Sequence, residues 1–283
     1  MVVNFFVKIL GGGYHFESIG ELQQYPAHEL VLARSIVSFT ISLAIVKNRK
    51  LPVFGNNKKW LIIRGISGTV ALTLFFYTIH NLPLAIASII QYLAPIFTVI
   101  LAMILLKEKV KTLQWLFITL SFIGVGLISF DKILPSTGSM DNLSFSILGL
   151  GIFSAVLSGL AYTSIMKLKT TDEPITIVMY FPMIAIPLMI ILCFFDFTFP
   201  NGIEWLFLLI IGLFTQSAQI LLTKALHIGN AASITPFQYL GAVYAFLIGY
   251  FIFDEKLSWI VNTGILLILG SLLLNAIIRG RRS

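Results

Sequence analysis

Charged residues are scarce in this chain of 283 residues. Asp, Glu, Lys and Arg together make up 11% of it, whereas soluble domains hold about 25%. Hydrophobic residues make up 58%, and so few charges could not cover that much apolar surface in water. A soluble globular enzyme is therefore excluded. Disordered chains are poor in aliphatic and aromatic residues, so disorder is excluded too, and the composition indicates a polytopic membrane protein.

Cysteine and histidine are also scarce, which limits redox and metal chemistry. Cys193 is the single cysteine, and there are four histidines. One thiol cannot form an internal disulfide, and one Cys with scattered His offers no zinc-binding spacing. The sequence also lacks a Gly-x-Ser-x-Gly nucleophile motif and a P-loop. We therefore predict that the chain is not an enzyme and needs neither a metal nor a cofactor.

Apolar runs long enough to cross a bilayer, about 17–25 residues each, recur along nearly the whole chain. A barrel needs period-two alternation, which is absent, so the predicted class is all-α. The apolar segment 1–10 covers only about half the hydrocarbon core at ~1.5 Å per residue. It is either a half-helix ending inside the membrane or, as we expect, the second half of a first helix that begins upstream. The nine full spans are predicted near residues 28–46, 60–80, 84–106, 113–130, 144–166, 175–195, 205–226, 231–253 and 259–278.

The cations are unevenly placed along the chain. Of 19 Lys and Arg residues, the loops on the opposite predicted face hold only Lys132 and Lys256. The positive-inside rule then predicts ten spans in a bacterial-type inner membrane, with both termini cytoplasmic. Because this topology accounts for the net charge of +7, nucleic acid is not an expected partner. The 13 cations of the predicted cytoplasmic face are Lys47, Arg49, Lys50, Lys58, Lys59, Lys107, Lys109, Lys111, Lys167, Lys169, Arg279, Arg281 and Arg282.

A series of residues recurs at a constant offset of 147 positions. The unit that repeats holds five helices, an odd number, so successive copies enter the membrane from opposite sides. Inverted repeats of this kind are typical of secondary transporters. We expect a first repeat at 1–130, a periplasmic linker at 131–143 and a second repeat at 144–283. The matching pairs are His80 with His227, Ala85 with Ala232, Gln91-Tyr92-Leu93 with Gln238-Tyr239-Leu240, and Glu108-Lys109 with Glu255-Lys256.

The motifs of the two copies resemble those of the EamA family of the drug/metabolite transporter superfamily. The first copy has the segment 28–35 (HELVLARS), then Ala94-Pro95-Ile96 and Lys107-Glu108-Lys109; the second has the segment 235–240 (TPFQYL) and Asp254-Glu255-Lys256. The resemblance covers nearly the whole chain from about residue 26. It implies ten helices, a central cavity between the halves and transport of small organic metabolites. The sequence departs from the family in its half-length first helix and in a long stretch at 11–25.

Polar side chains at mid-membrane depth are costly, so they are candidates for function. Gln91-Tyr92 and Gln238-Tyr239 suit two gates that flank one site, or they hydrogen-bond between helices. Pro95 frees a carbonyl for a ligand or shapes a kink, and Gln216 and Gln219 lie one turn apart. The candidate substrate-binding and gating residues are Lys8, Arg34, Gln91, Tyr92, Pro95, Tyr162, Gln216, Gln219, Gln238 and Tyr239.

The cations within the spans have two interpretations. Arg34 can hold a substrate carboxylate by a bidentate contact, or it can extend to the lipid headgroups or pair with an acid of an outer loop. For Arg64 and Lys224 we expect headgroup contacts, because both lie near predicted cytoplasmic helix ends. No Asp or Glu lies at the centre of a predicted span, whereas proton relays in pumps usually use such a carboxylate. We therefore expect facilitated diffusion or exchange rather than proton coupling.

The sequence as a whole predicts a secondary transporter that works by alternating access. Its expected cargo is a small organic metabolite, amino-acid-like or otherwise polar or aromatic, and efflux is slightly favoured. The expected partners are this small molecule and the lipid bilayer, and a homodimer stays open. The alternative is a non-transporting membrane helper or a degenerate transporter copy, which the short first helix favours.

Overall fold

The computed structural model describes residues 2–11, 22–82, 84–133, 142–241, 243–244 and 259–280. Within them the chain is all-helical and contains no strand. The expected linker at 131–143 and the motif at 254–256 lie largely or wholly outside the described residues. The helices are α1 (Val2–Leu10), α2 (Ala27–Asn48), α3 (Lys58–Asn81), α4 (Leu84–Gln91), α5 (Ala94–Leu105), α6 (Thr112–Ile133), α7 (Asn142–Leu168), α8 (Pro174–Cys193), α9 (Glu204–Ile228), α10 (Ala231–Gln238) and α11 (Trp259–Gly280).

Five helices are long and apolar enough, by length and composition, to cross a membrane. They are α2, α3, residues Ser146–Leu168 of α7, α8 and α9. Shorter apolar helical stretches lie in α5, α6 and α11. This is the helical architecture of a polytopic membrane protein.

The predicted span 84–106 is two helices rather than one. α4 ends at Gln91 and α5 begins at Ala94, and the Leu93 N–H donates to the Ile90 carbonyl at 3.0 Å. Pro95 lies in the first turn of α5, where its missing N–H costs no helical hydrogen bond. The proline therefore starts a new helix, whereas the sequence analysis placed it within a continuous one.

The helix boundaries repeat at the sequence offset of 147 residues. α4 begins at residue 84 and α10 at 231, and both end at a glutamine, Gln91 and Gln238. The described parts of α6 and α11 also lie at equivalent positions at this offset. α3 and α9 agree with the same offset to within one residue. The two segments of the chain therefore follow one helical plan.

Glycines allow helices to approach closely at the crossings. A Cβ at Gly159 of α7 would lie 2.8 Å from Cβ of Phe97 on α5. One at Gly212 of α9 would lie 2.6 Å from Cβ of Val37 on α2. α3 packs extensively against α7, α6 against α11, and α2 against α8 and α9. Small residues at crossings are the usual way for membrane helices to gain van der Waals contact.

Two acidic residues, Glu204 and Asp172, accept hydrogen bonds from segments that connect helices. The Glu204 carboxylate at the start of α9 accepts hydrogen bonds from the Gln23 N–H at 2.7 Å and from the Tyr25 hydroxyl at 2.6 Å. Burial and this carboxylate raise the pKa of Tyr25, so its hydroxyl keeps the proton that it donates. The Asp172 carboxylate, before α8, accepts from the Asn56 and Asn57 N–H groups at 2.5 Å and 3.1 Å.

Gly124 provides a test of the α6–α11 crossing. A Cβ there would lie 2.6 Å from the Gly264 carbonyl oxygen, a backbone atom that cannot move unless α11 moves. We expect Gly124→Ala to lower the free energy of unfolding by about 1–3 kcal/mol, as overpacking does. The measurement is unfolding of the purified protein in mixed detergent micelles.

Gly126→Ala is the matched control for this substitution. A Cβ at Gly126 would meet no atom within 4 Å, so this variant should unfold at or slightly above the wild-type midpoint. Equal destabilisation by the two variants would contradict the close approach at Gly124.

Candidate functional site

A small cavity of about 50 Å³ lies among α2, α3, α4, α7, α8 and α9. Apolar side chains, including Phe75 and Phe181, form part of its wall. A water molecule needs about 10–15 Å³ of such space, whereas pockets for organic ligands measure about 300–1,000 Å³. The cavity therefore has room for a few water molecules and is too small for an organic ligand in this structure. Its polar lining residues are Arg34, Arg64, Gln91, Ser158, Tyr162 and Gln219.

The two arginines are the most buried polar groups of this cavity. Arg34 is 2% exposed and Arg64 is 1% exposed. Their guanidinium carbons lie 5.0 Å and 5.6 Å from the centroid of the same ring, Phe181. Nη2 of Arg64 donates to Oε1 of Gln219 at 3.0 Å. Nε of both arginines and Nη2 of Arg34 have no hydrogen-bond partner.

The position of Arg64 corrects the expectation of a headgroup contact. α3 begins at Lys58, so Arg64 lies nearly two turns inside the helix, on the face that packs towards α8 and α9. A linear sequence gives the distance of a residue from a helix end but not the direction of its side chain. Arg34 likewise lies in the cavity and not among exposed groups.

Gln91 links the end of α4 to α7. Its Nε2 donates to Oγ of Ser158 at 3.2 Å, and its Oε1 is buried without a partner. Gln91 and Tyr162 were predicted candidates, and the structure brings both to the cavity together with Gln219 and Arg34. A hydrogen-bond acceptor, a hydroxyl and an aromatic surface are thus available to a ligand in one place.

Tyr92 and Tyr239, unlike Tyr162, do not line the cavity. Tyr92 and Tyr239 pack against each other with ring centroids 5.9 Å apart, and Phe122 packs on Tyr239 at 6.4 Å. The hydroxyl of Tyr239 is buried without a partner. These residues occupy equivalent positions at the 147-residue offset, so the two segments meet at this contact.

Two further candidates lie beside the tyrosines. The Pro95 carbonyl accepts a hydrogen bond from Oγ1 of Thr235 at 3.3 Å, which joins α5 to α10. Nε2 of Gln238 is buried without a partner. Pro95 and Gln238 therefore contribute to the α5–α10 region rather than to the cavity wall.

Gln216 and Lys8 lie away from the cavity, in contrast to what the sequence predicted. Nε2 of Gln216 donates to Oγ of Ser42 at 2.7 Å, whereas Gln219 faces the cavity. Residues three apart on a helix differ by about 60° in direction, which is enough to separate the two glutamines. Nζ of Lys8 donates to the Ile79 carbonyl at 2.8 Å at the carboxyl end of α3, where it satisfies carbonyls that lack helical partners.

The comparison of the two glutamines gives a second test. Gln219→Glu places a carboxylate next to the Arg64 guanidinium, so we expect it to raise the unfolding midpoint. Gln216→Glu buries a carboxylate beside Ser42 with no described cation in contact, and we expect a loss of about 1–3 kcal/mol. Unfolding of both variants in detergent checks the prediction. Destabilisation by both substitutions to the same extent would contradict the different surroundings of positions 216 and 219.

Comparison with known proteins identifies what the chain is similar to. The EamA-like transporter family matches residues 9–130 and 145–277. The chain is 28% identical over 222 residues to the pseudopaline exporter CntI of Pseudomonas aeruginosa (strain UCBPP-PA14), which covers 77% of this chain and 75% of that protein. It is 29% identical over 263 residues to solute carrier family 35 member G1 of Homo sapiens, with 89% and 72% covered.

A solved crystal structure has the same fold. It covers 99% of this chain and 97% of its own chain, with a TM-score of 0.75 and 16% sequence identity. At that identity the likeness concerns the fold alone.

Proposed function

The chain belongs to the EamA-like transporter family and is a membrane transporter rather than an enzyme, and from this premise we propose that it is a secondary carrier that works by alternating access. Two inverted five-helix halves, ten spans in all, rock about the cavity between them. The proposed location is the inner membrane, with both termini in the cytoplasm, where the positive-inside rule puts the cationic loops.

Equivalent helix contacts in the two segments support this proposal. At the 147-residue offset α2 corresponds to α8, and α3 corresponds to α9. The contact of α2 with α9 is then equivalent to that of α8 with α3, and both are extensive. Two conformations that interchange the roles of the halves need such paired contacts.

The observation that carries the proposal is the composition of the cavity. Arg34 and Phe181 are 147 positions apart, and so are Leu72 and Gln219; all four line the cavity. The cavity thus lies where equivalent positions of the two halves converge. A cavity with polar lining residues at that place is what a carrier needs to bind its cargo between the two halves.

The cargo that these groups suit is a small organic molecule with amide, carboxylate or aromatic groups. Gln91 and Gln219 offer amides, and Phe181 offers a ring face. Tyr92 and Tyr239, packed on each other, are the proposed gate. Efflux is slightly favoured as the direction of transport. The Pseudomonas aeruginosa relative is named as an exporter.

Transport by reconstituted vesicles tests the carrier mechanism. The compound that most raises the thermal midpoint in a panel of amino acids, carboxylates and aromatic amides is loaded, and counterflow of its labelled form is measured. We expect saturable counterflow, and Gln91→Ala should lower it about fivefold, the value of one hydrogen bond of ~1 kcal/mol. Gln24→Ala, at an exposed position, is the matched control. Folded protein without counterflow of any compound in the panel would indicate the non-transporting alternative.

Coupling to protons is tested in the same vesicles. Because no carboxylate lines the cavity among the described residues, we expect flux to follow the cargo gradient. An imposed pH gradient of either sign should leave the initial rate unchanged when the membrane potential is clamped. Uphill accumulation that strictly follows the pH gradient would falsify the exchange or facilitated-diffusion mechanism.

A further inference from the structure

The burial of Arg34 and Arg64 in one cavity is costly, because neither cation is paired with an acidic side chain in the part of the chain that the structure describes. No carboxylate of the described residues forms an ion pair with either guanidinium. The only acid on α2, Glu29, points elsewhere: its Oε2 accepts from the Thr198 N–H at 3.0 Å. A buried cation without a partner costs several kcal/mol. A ligand with negative charge that binds in the cavity would stabilise the two cations.

The guanidinium nitrogen atoms without partners indicate which anionic group fits the two arginines. Nε and Nη2 of Arg34, both without partners, form one edge of the guanidinium, the edge that binds a carboxylate through two parallel hydrogen bonds. Arg64 uses Nη2 on Gln219 and keeps Nε free. Arg34, a lining residue of the cavity, therefore has one complete carboxylate-binding edge without a partner, and Arg64 has one further free donor.

The distance between the two cations suits a single small molecule. Both guanidinium carbons lie near one Phe181 ring, at 5.0 Å and 5.6 Å, so they cannot be farther apart than the sum of these distances. The wall of the same cavity carries Leu72 and Phe75 as well as Phe181. Those apolar groups fit a carbon skeleton, which an inorganic oxyanion does not have.

We infer that the cargo of this site is a small organic dianion with two carboxylates, one bound by Arg34 and one by Arg64. The inference rests on the proposed carrier function and specifies its substrate class. A neutral cargo leaves two buried cations unpaired, and a monoanion leaves one. A dianion neutralises both, and its carbon chain covers the Phe181 ring.

A charge series at constant shape tests the inference by binding alone. Succinate, glutarate and adipate are each titrated onto purified protein in detergent, together with the half-amide and the diamide of each. For at least one chain length we expect the dianion to bind about 10- to 100-fold more tightly than its half-amide, since a hydrogen bond between charged groups is worth ~1.5–3 kcal/mol. The diamide should bind more weakly still, and sodium sulfate more weakly than the dicarboxylate.

Variants then assign the two charges to the two arginines. In Arg34→Gln and in Arg64→Gln, the preference for the dianion over its half-amide should fall to less than threefold. Without ligand, each variant should unfold at or above the wild-type midpoint, because an unpaired buried charge has been removed. Arg49→Gln, at an exposed position outside the helices, should keep the wild-type preference. If a variant does not fold, the charge series on the wild-type protein still tests whether the site prefers a dianion.

The outcomes separate this inference from the carrier mechanism. Equal binding of dianion, half-amide and diamide at every chain length overturns the inference, and so does sulfate binding as tight as that of the best dicarboxylate. Counterflow of another compound in that case leaves the carrier mechanism intact. Tight dicarboxylate binding without counterflow supports the dianion site and contradicts the carrier mechanism.

Discussion

The constraint on which the structure depends is the absence of water around buried polar groups in a membrane. A polar side chain inside a span is costly unless the protein or a ligand supplies a partner. Several hydroxyl groups find it in their own helix: Oγ1 of Thr98 donates to the Ala94 carbonyl at 2.8 Å, and Oγ1 of Thr163 donates to the Gly159 carbonyl at 2.8 Å. Arginine and glutamine are too long for this solution. They depend on other helices or on a ligand, and four of them, Arg34, Arg64, Gln91 and Gln219, converge on the cavity.

The general plan of the chain follows from its sequence because it depends on composition and spacing. Apolar runs give the helices, and the offset of 147 residues gives the correspondence of α4 with α10 and of α6 with α11. These features are periodic, so a one-dimensional pattern contains them. The break between Gln91 and Ala94 could also be inferred, since Pro95 favours the first turn of a helix. The hydropathy pattern does not show the break, because the residues on both sides of it are apolar.

The members of the site are harder to predict because they depend on side-chain direction. Arg64 and Gln216 illustrate opposite errors. Arg64 lies near a helix end in the sequence but is turned inward, and Gln216 lies one turn from Gln219 but contacts Ser42 instead. Both directions follow from how α3 and α9 are rotated about their axes. That rotation is set by packing against α7, α8 and α2, which the sequence does not contain as a local pattern.

The two segments share a helical plan, but their contributions to the cavity are chemically different. Arg34 corresponds to Phe181 at the 147-residue offset, and Gln219 corresponds to Leu72. In each pair one half supplies the polar group and the other supplies the apolar one. A symmetrical scaffold needs equivalent helix contacts, but it does not need equivalent side chains where a ligand lies. In the proposed carrier, selectivity comes from these differences between the segments, because they place the Arg34 cation of one segment 5.0 Å from the Phe181 ring of the other.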